Sequence, residues 1–113
     1  MLILVADAIK IENSSNCIVH EYVMPSNNLS FCRAEIDGRY PESGKVLNSG
    51  CDQIYYVLSG EAKIFYKNQF FNIKSGDLFF FEKNQEYFVE AQKLVAAVIN
   101  SPKWTAEQYR KLD

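Results

Sequence analysis

The fold is decided by two stretches, Gln-Ile-Tyr-Tyr-Val-Leu-Ser-Gly (residues 53–60) and Gly-Asp-Leu-Phe-Phe-Phe-Glu-Lys-Asn-Gln-Glu-Tyr (residues 76–87). Each combines a run of β-branched and aromatic residues with a glycine at one end, which is typical of a strand that meets a tight turn. Residues 54–58 and 78–81 are apolar on both faces, so we predict two strands that are covered on both sides. Gly60 ends the first stretch and Gly76 begins the second.

On both sides of these two stretches, further β-branched and aromatic runs separated by turn residues predict a series of strands. Further strands are expected over residues 17–23, 29–37, 62–66, 70–73, 87–90 and 94–99. The tripeptide at residues 67–69 predicts a hairpin turn, with Asn68 at positive φ. Thr105 and Gln108 have the spacing of a capping box, so a short helix is predicted from Ala106 to Lys111. We expect one all-β domain over residues 1–113.

Composition and charge exclude several classes of protein. The 113 residues carry a formal net charge of -2 without a long run of either sign, which argues against a nucleic-acid binder. Cys17, Cys32 and Cys51 are odd in number and form no CxxC pair, so we expect reduced thiols in a cytoplasmic protein. The apolar residues 1–6 are too few for a membrane span and lack a basic leader, so we expect a first strand or a dimer arm.

The spacing of the two stretches resembles the two sequence motifs of the cupin family, in particular its small, single-domain, RmlC-like bacterial members. The first motif has two histidines one residue apart, then a glutamate, and a glycine seven residues after that glutamate, which is the place of Gly60. The second begins with Gly-Asp, here Gly76 and Asp77, and ends on a histidine after an apolar strand and a turn. The resemblance implies a cupin-type double-stranded β-helix, that is, a jelly-roll sandwich or barrel, here with the short C-terminal helix.

The residues that hold the metal in cupins are replaced in this chain. Gln53 stands at the glutamate position and Tyr87 at the final histidine position. The two-histidine position falls at Val46 and Asn48 or at Leu47 and Ser49, depending on the loop length. The proline and glycine of the second motif's turn become Glu82 and Asn84, and the one histidine of the chain is His20.

Amides and a phenol are poor substitutes for the imidazole and carboxylate donors that transition metals prefer, so we expect neither a metal nor a cofactor. One alternative stays open. A carboxylate site for a hard cation would have to come from residues near the mouth of the barrel, namely Glu35, Glu42, Cys51 and Asp52.

Alternation along the strands predicts a pocket. If Gln53 faces the lumen, Tyr55 shares its face, and Phe79, Phe81 and Tyr87 are expected to join them. The predicted ligand-binding residues are Arg33, Glu35, Asn48, Gln53, Tyr55, Phe79, Phe81 and Tyr87. An aromatic cavity with amide and phenol groups suits a small polar molecule with a ring-shaped apolar face, such as a sugar. The same aromatic residues are also compatible with an ordinary core.

Three functions follow from this pattern, and the sequence does not decide whether the protein is an enzyme. The first is metal-free binding of a small, carbohydrate-like molecule. The second is a metal-independent sugar isomerase or epimerase, with Tyr55 or Tyr87 as the acid and Glu35 as the base. The third is a structural or interaction protein whose lumen is filled by aromatic side chains.

The opposite faces of the same strands predict self-association. Ile54, Tyr56, Leu58 and Phe80 should point away from the lumen, where they would be partly bare in an isolated domain. The resemblance implies pairing through one sheet and an exchanged N-terminal strand, and residues 1–5 suit such an arm. We therefore predict a homodimer.

Overall fold

The computed structural model describes residues 1–113, and strands account for most of them. The strands are β1 (Ile9–Ser14), β2 (Cys17–Tyr22), β3 (Ser30–Tyr40), β4 (Lys45–Asn48), β5 (Asp52–Tyr66), β6 (Gln69–Lys74), β7 (Leu78–Phe81), β8 (Tyr87–Ser101) and β9 (Tyr109–Leu112). Short 3-10 turns lie at Val5–Asp7 and Ala106–Gln108. None of the helical segments is long and apolar enough to cross a membrane.

All of the pairings are antiparallel, and they join the strands into one nine-stranded sheet that curls on itself. Strand β8 lies at its centre, because it pairs with β3 along one edge and with β5 along the other. β5 also pairs with β6 and β7, and β4 and β9 pair with each other. The two quoted stretches are therefore neighbours, with Gln53 opposite Phe81 and Tyr55 opposite Phe79.

The predicted turn at residues 59–61 is wrong, because β5 runs unbroken through this position. The chain bends there by a bulge, with register shifts against β8 on both sides of Ser59. The predicted break between residues 90 and 94 is likewise absent, and Lys93 lies in β8 with a φ of 49°. A bulge lets a strand bend without losing its partner, so a glycine that resembles a turn marks a bend instead.

The tight hairpin after β5 is confirmed, with φ values of 52° at Lys67 and 62° at Asn68. The predicted C-terminal helix is wrong. Only one 3-10 turn forms at Ala106–Gln108, and the Thr105 side chain makes no capping hydrogen bond. A helix of six residues is marginal in water, whereas pairing of β9 with β4 satisfies the backbone groups within the sheet.

Side chains along the central strands alternate between the interior and the outside. Val57, Ile64 and Val89 are fully buried in the core. On the other side Tyr56 is 43% exposed, Leu58 48% and Phe80 50%, so this side is partly bare in the isolated chain, as predicted. Their outward direction is as predicted. This surface, the outer apolar face, consists of Ile54, Tyr56, Leu58, Leu78, Phe80 and Ile99.

The motif glycine Gly60 lies where β5 bulges against β8. Its φ is +78°, and a Cβ atom at this position would collide with the main-chain carbonyl of Lys93. Gly76 has a φ of +90°, but a Cβ atom there would meet nothing within 4 Å. Both glycines adopt a conformation that other residues rarely take, and only Gly60 is also enclosed by backbone.

We expect Gly60→Ala to lower the free energy of unfolding by at least about 3 kcal/mol, since left-handed strain and a collision with backbone act together. Gly76→Ala is the matched control and should lose only about 1–2 kcal/mol from strain. Urea unfolding followed by circular dichroism measures both values. Equal losses in the two variants would contradict this account of the bulge.

Candidate functional site

A partly open cavity of about 220 Å³ lies in the interior of the curled sheet. Its walls are side chains of β1, β2, β3, β4, β5 and β8, together with the connection between β2 and β3 and the segment that follows β8. One water molecule needs only roughly 10–15 Å³ of such space, so the lumen is not filled by side chains. Most of the lining is apolar or aromatic, and most of its few polar groups are neutral.

Three polar side chains form one row across the inner face of the sheet. The register places Asn100 of β8 opposite Ser30 of β3 on one side and opposite Gln53 of β5 on the other. Asn100 and Gln53 are only 5% and 8% exposed. Directly paired residues point to the same face, so all three amide and hydroxyl groups are directed into the cavity. Below, this set is called the polar row.

Tyrosine hydroxyls supply the second group of polar contacts. Tyr87 donates a hydrogen bond to Oε1 of Gln53 at 3.2 Å, and the hydroxyls of Tyr40 and Tyr109 are 2.8 Å apart. Burial raises the pKa of Tyr40, Tyr55 and Tyr87 well above the usual tyrosine value. These phenols therefore remain protonated at neutral pH and can donate hydrogen bonds.

The segment after β8 forms one wall of the cavity. The indole Nε1 of Trp104 donates to Oδ1 of Asn48 at 2.9 Å, and the backbone N–H of Trp104 donates to the Ser30 hydroxyl at 3.1 Å. Tyr109, at the start of β9, packs edge-on against Trp104. These contacts connect the C-terminal segment to β3 and β4.

The cysteines of the cavity are not nucleophiles. Burial raises the pKa of Cys17 and of Cys32 from 9.0 to about 12, so both are thiols at neutral pH. Charged groups are scarce in the lining, where only Glu21 and Lys103 contribute, and both are partly exposed. The deep part of the site is therefore uncharged.

The structure brings together half of the predicted site residues. Asn48, Gln53, Tyr55 and Tyr87 all line the cavity. Phe81 lies behind them in the core, with its ring 4.8 Å from that of Tyr55 and 4.3 Å from that of Tyr87. Phe79 packs against Phe81 and is likewise outside the lining. The two phenylalanines thus support the tyrosines and do not face the lumen.

The expectation that Arg33 and Glu35 point into the lumen is wrong. Their β3 neighbour Ala34 is the residue that lines the cavity, and alternation directs odd-numbered side chains of this part of β3 outward. Glu35 instead meets Nε2 of His20 at 3.0 Å on the outer surface. The role of Glu35 as a catalytic base is excluded by this position.

Sequence reasoning missed Ser30, Tyr40, Asn100, Trp104 and Tyr109, all of which line the cavity. Asn100 could have been found from the sequence. Side chains alternate along a strand, so if Ala96 and Val98 point inward, residue 100 of the same strand points inward too. The other four depend on which distant strands meet, and no local pattern marks them.

Solved structures of other proteins have the same architecture at low sequence identity. The nucleoside dehydratase Pac13 of Streptomyces superposes with a TM-score of 0.89 at 13% identity, over 99% of this chain and 90% of Pac13. Variants of Pac13 have also been solved with uridine. KdgF from Halomonas matches with a TM-score of 0.75 at 14% identity, over 92% of this chain and 96% of KdgF.

An RmlC-like cupin from Shewanella frigidimarina matches with a TM-score of 0.70 at 15% identity, over 86% of each chain. This chain has the cupin fold. The fold predicted from the motif spacing is thereby confirmed. No protein-family model matches the sequence, and no curated protein matches it.

The residues of this chain do not fit the metal that the cupin motifs imply. Asn48, Gln53 and Tyr87 meet in the cavity, yet amides and a phenol are weak ligands for the metals that imidazole and carboxylate hold. No three His, Cys, Asp or Glu side chains come together elsewhere. The open alternative of a carboxylate site therefore has no cluster to support it, and Asp52 accepts a hydrogen bond from the backbone of Lys83 instead.

The buried thiols predict how stability changes at high pH. Between pH 9.0 and about 12 the unfolded chain releases the protons of Cys17 and Cys32, while the folded chain retains them. The stability that these thiols contribute is fully present below pH 9.0 and is lost as the pH rises towards 12. The loss reaches up to about 1.4 kcal/mol per pH unit for each thiol.

We expect urea unfolding between pH 8 and about 11 to show this decline, with a shallower slope in Cys32→Ala than in the wild type. The variant removes one of the two thiols and leaves the remaining ionisable groups in place. The same slope in both proteins would contradict the contribution of Cys32 to the decline.

Proposed function

We propose that the protein binds a small, uncharged, ring-containing molecule, a sugar or a nucleoside, in the cupin cavity without the help of a metal. The observation that carries this proposal is the partly open cavity of about 220 Å³, whose deep part is lined by aromatic side chains and neutral hydrogen-bonding groups. Ligand sites typically combine an apolar wall with a few placed polar groups, and this cavity has that composition.

The absence of charge in the deep cavity supports the choice of ligand class. A buried charged ligand needs a partner of opposite sign, and no such side chain lies among the polar row or the tyrosines. Hydroxyl and amide groups of a sugar or a nucleoside can pair with these neutral donors and acceptors. The Pac13 variants solved with uridine also have a nucleoside on a cupin framework, which supports the same class here.

The cavity argues against the hypothesis of a structural cupin with a closed lumen. Phe79, Phe81 and Tyr87 were the side chains expected to fill the interior. The two phenylalanines pack behind the cavity wall instead, and Tyr87 forms part of the wall without closing the space. Space for several waters remains in front of Tyr55 and Tyr87.

Acid–base catalysis is the second candidate, favoured by the protonated Tyr55 and Tyr87 hydroxyls in the cavity. An isomerase also needs a base, and Glu35 is on the wrong side of β3 for that role. Glu21 is the carboxylate that lines the cavity, and it is partly exposed. Because the deep site holds an acid without a matching base, binding explains the arrangement better than isomerisation or epimerisation.

We expect Tyr55→Phe to weaken ligand binding by roughly 3–10-fold, because one hydrogen bond to the ligand is lost. Tyr56→Phe is the matched control, since Tyr56 is the next residue on the same strand and points to the opposite face, where it is 43% exposed. A thermal-shift screen of sugars, nucleosides and aromatic acids would find the ligand, and isothermal titration calorimetry would give both affinities.

If no sugar or nucleoside binds at millimolar concentration, the proposed function is wrong. It is also wrong if the substitution at Tyr56 affects binding as strongly as the one at Tyr55.

We also propose that two copies pair through the outer apolar face. Tyr56, Phe80 and Leu78 are about half exposed, and the isolated chain offers nothing to cover them. A stable interface buries about 800 Å² per partner. The apolar residues 1–5 provide further surface, since Met1 is 95% exposed and Leu2 82%. A symmetric dimer would cover both features at once.

We expect light scattering after size exclusion to give about 26 kDa, twice the chain mass of 13.0 kDa, at micromolar concentration. Phe80→Asp should produce monomers, because it places a charge within the buried face. Phe70→Asp is the matched control, since Phe70 is 53% exposed and Phe80 50%, but Phe70 lies on β6 away from this face. A monomeric wild type, or a Phe80→Asp protein that stays dimeric, would contradict the proposed interface.

A further inference from the structure

The polar row contains a buried acceptor that no protein group satisfies. Oδ1 of Asn100 is inaccessible to solvent and has no hydrogen-bond partner, whereas Nδ2 of the same side chain donates to the Ser30 hydroxyl at 3.4 Å. An unpaired buried acceptor is unfavourable, and most such groups in folded proteins have a partner. Asn100 lines the cavity, so a small rotation of its amide would turn Oδ1 towards a bound molecule, which can supply the missing donor.

Hydrogen-bond donors flank this acceptor on both sides. Oε1 of Gln53 is occupied by the Tyr87 hydroxyl, which leaves the Gln53 amide nitrogen to donate. The Ser30 oxygen accepts from Nδ2 of Asn100 and from the backbone N–H of Trp104, which leaves its own proton to donate. Across the row the cavity thus presents a donor, an acceptor and a donor, contributed by β5, β8 and β3 in turn.

This order is complementary to a cyclic imide, in which an N–H lies between two carbonyl groups. We propose that Asn100 is the specificity-determining residue of the site and that its Oδ1 accepts a hydrogen bond from the ring N–H of a pyrimidine-2,4-dione, such as a uracil ring. The Gln53 amide and the Ser30 hydroxyl donate to the two flanking carbonyl groups. The inference rests on the proposed function, because it names the ligand class of the same cavity.

The aromatic wall suits such a ring. Tyr55 and Val98 are paired in the next inward row, two residues from Gln53 and Asn100 along β5 and β8. A flat ring held by its imide edge would lie against these side chains. A single hydroxyl group would satisfy Asn100 alone, whereas an imide edge engages all three groups at once.

Three nucleosides test the proposal on the unmodified protein. Uridine carries the imide N–H, 3-methyluridine lacks it, and cytidine presents a ring acceptor in its place. We expect calorimetry to show that 3-methyluridine and cytidine bind at least about tenfold more weakly than uridine. Ribose serves as a probe for binding through hydroxyl groups only.

Asn100→Leu should abolish the preference for uridine over 3-methyluridine, because it replaces the amide with an apolar group of similar size. Asn72→Leu is the matched control, with the same substitution on the exposed side of β6, and it should keep the preference. If Asn100→Leu does not fold, the comparison of the three nucleosides on the wild type still decides the question.

Each other outcome has a distinct meaning. Equal affinity for the three nucleosides, tighter binding of cytidine, or binding of ribose alone would overturn imide recognition and leave the proposed function standing. Binding of none of these probes, nor of any sugar or nucleoside, would overturn both.

Discussion

The pairing of β8 with β3 along one edge and β5 along the other is the constraint on which the site depends. In an antiparallel sheet, residues in register point to the same face, so one register brings Ser30, Asn100 and Gln53 into a single inward row. A slip of one residue would turn all three side chains to the outside. The bulge at Gly60 and Lys93 lets the strands bend without losing this register.

The polar side chains of the deep cavity are neutral amides and phenols, where the cupin motifs have histidines and a glutamate. Carboxylates in a closed space need a metal or a counter-charge, whereas amides and phenols need only hydrogen bonds. Most of the polar groups here are paired with one another, as Tyr87 is with Gln53 and Tyr40 with Tyr109. Burial keeps these phenols protonated, so the cavity can offer donors over a broad pH range. Such a site selects uncharged molecules by the order of their donors and acceptors.

The motif spacing correctly predicted the inward-facing residues of the first central stretch, residues 53–60. Gln53 and Tyr55 are inward as predicted, because both belong to one strand whose face is set by alternation alone. Arg33 and Glu35 were assigned to the wrong face, because nothing in the sequence ties the phase of β3 to that of β5. Phe79 and Phe81 have an inward phase, but the curvature of the sheet places them behind the tyrosines.

The sequence by itself determined the two central strands, the sharp hairpin at Lys67 and Asn68, and the lack of metal ligands at the motif positions, since each depends on residue type and local spacing. Only the tertiary structure decided that a cavity remains open, that the C-terminal segment is a strand forming its wall, and that Asn100 carries an unpaired acceptor. The physical reason is the distance along the chain over which each interaction acts. Backbone preference acts between neighbours in the chain, whereas a cavity and its unpaired atoms arise from contacts between strands distant in sequence, such as Ser30 and Asn100.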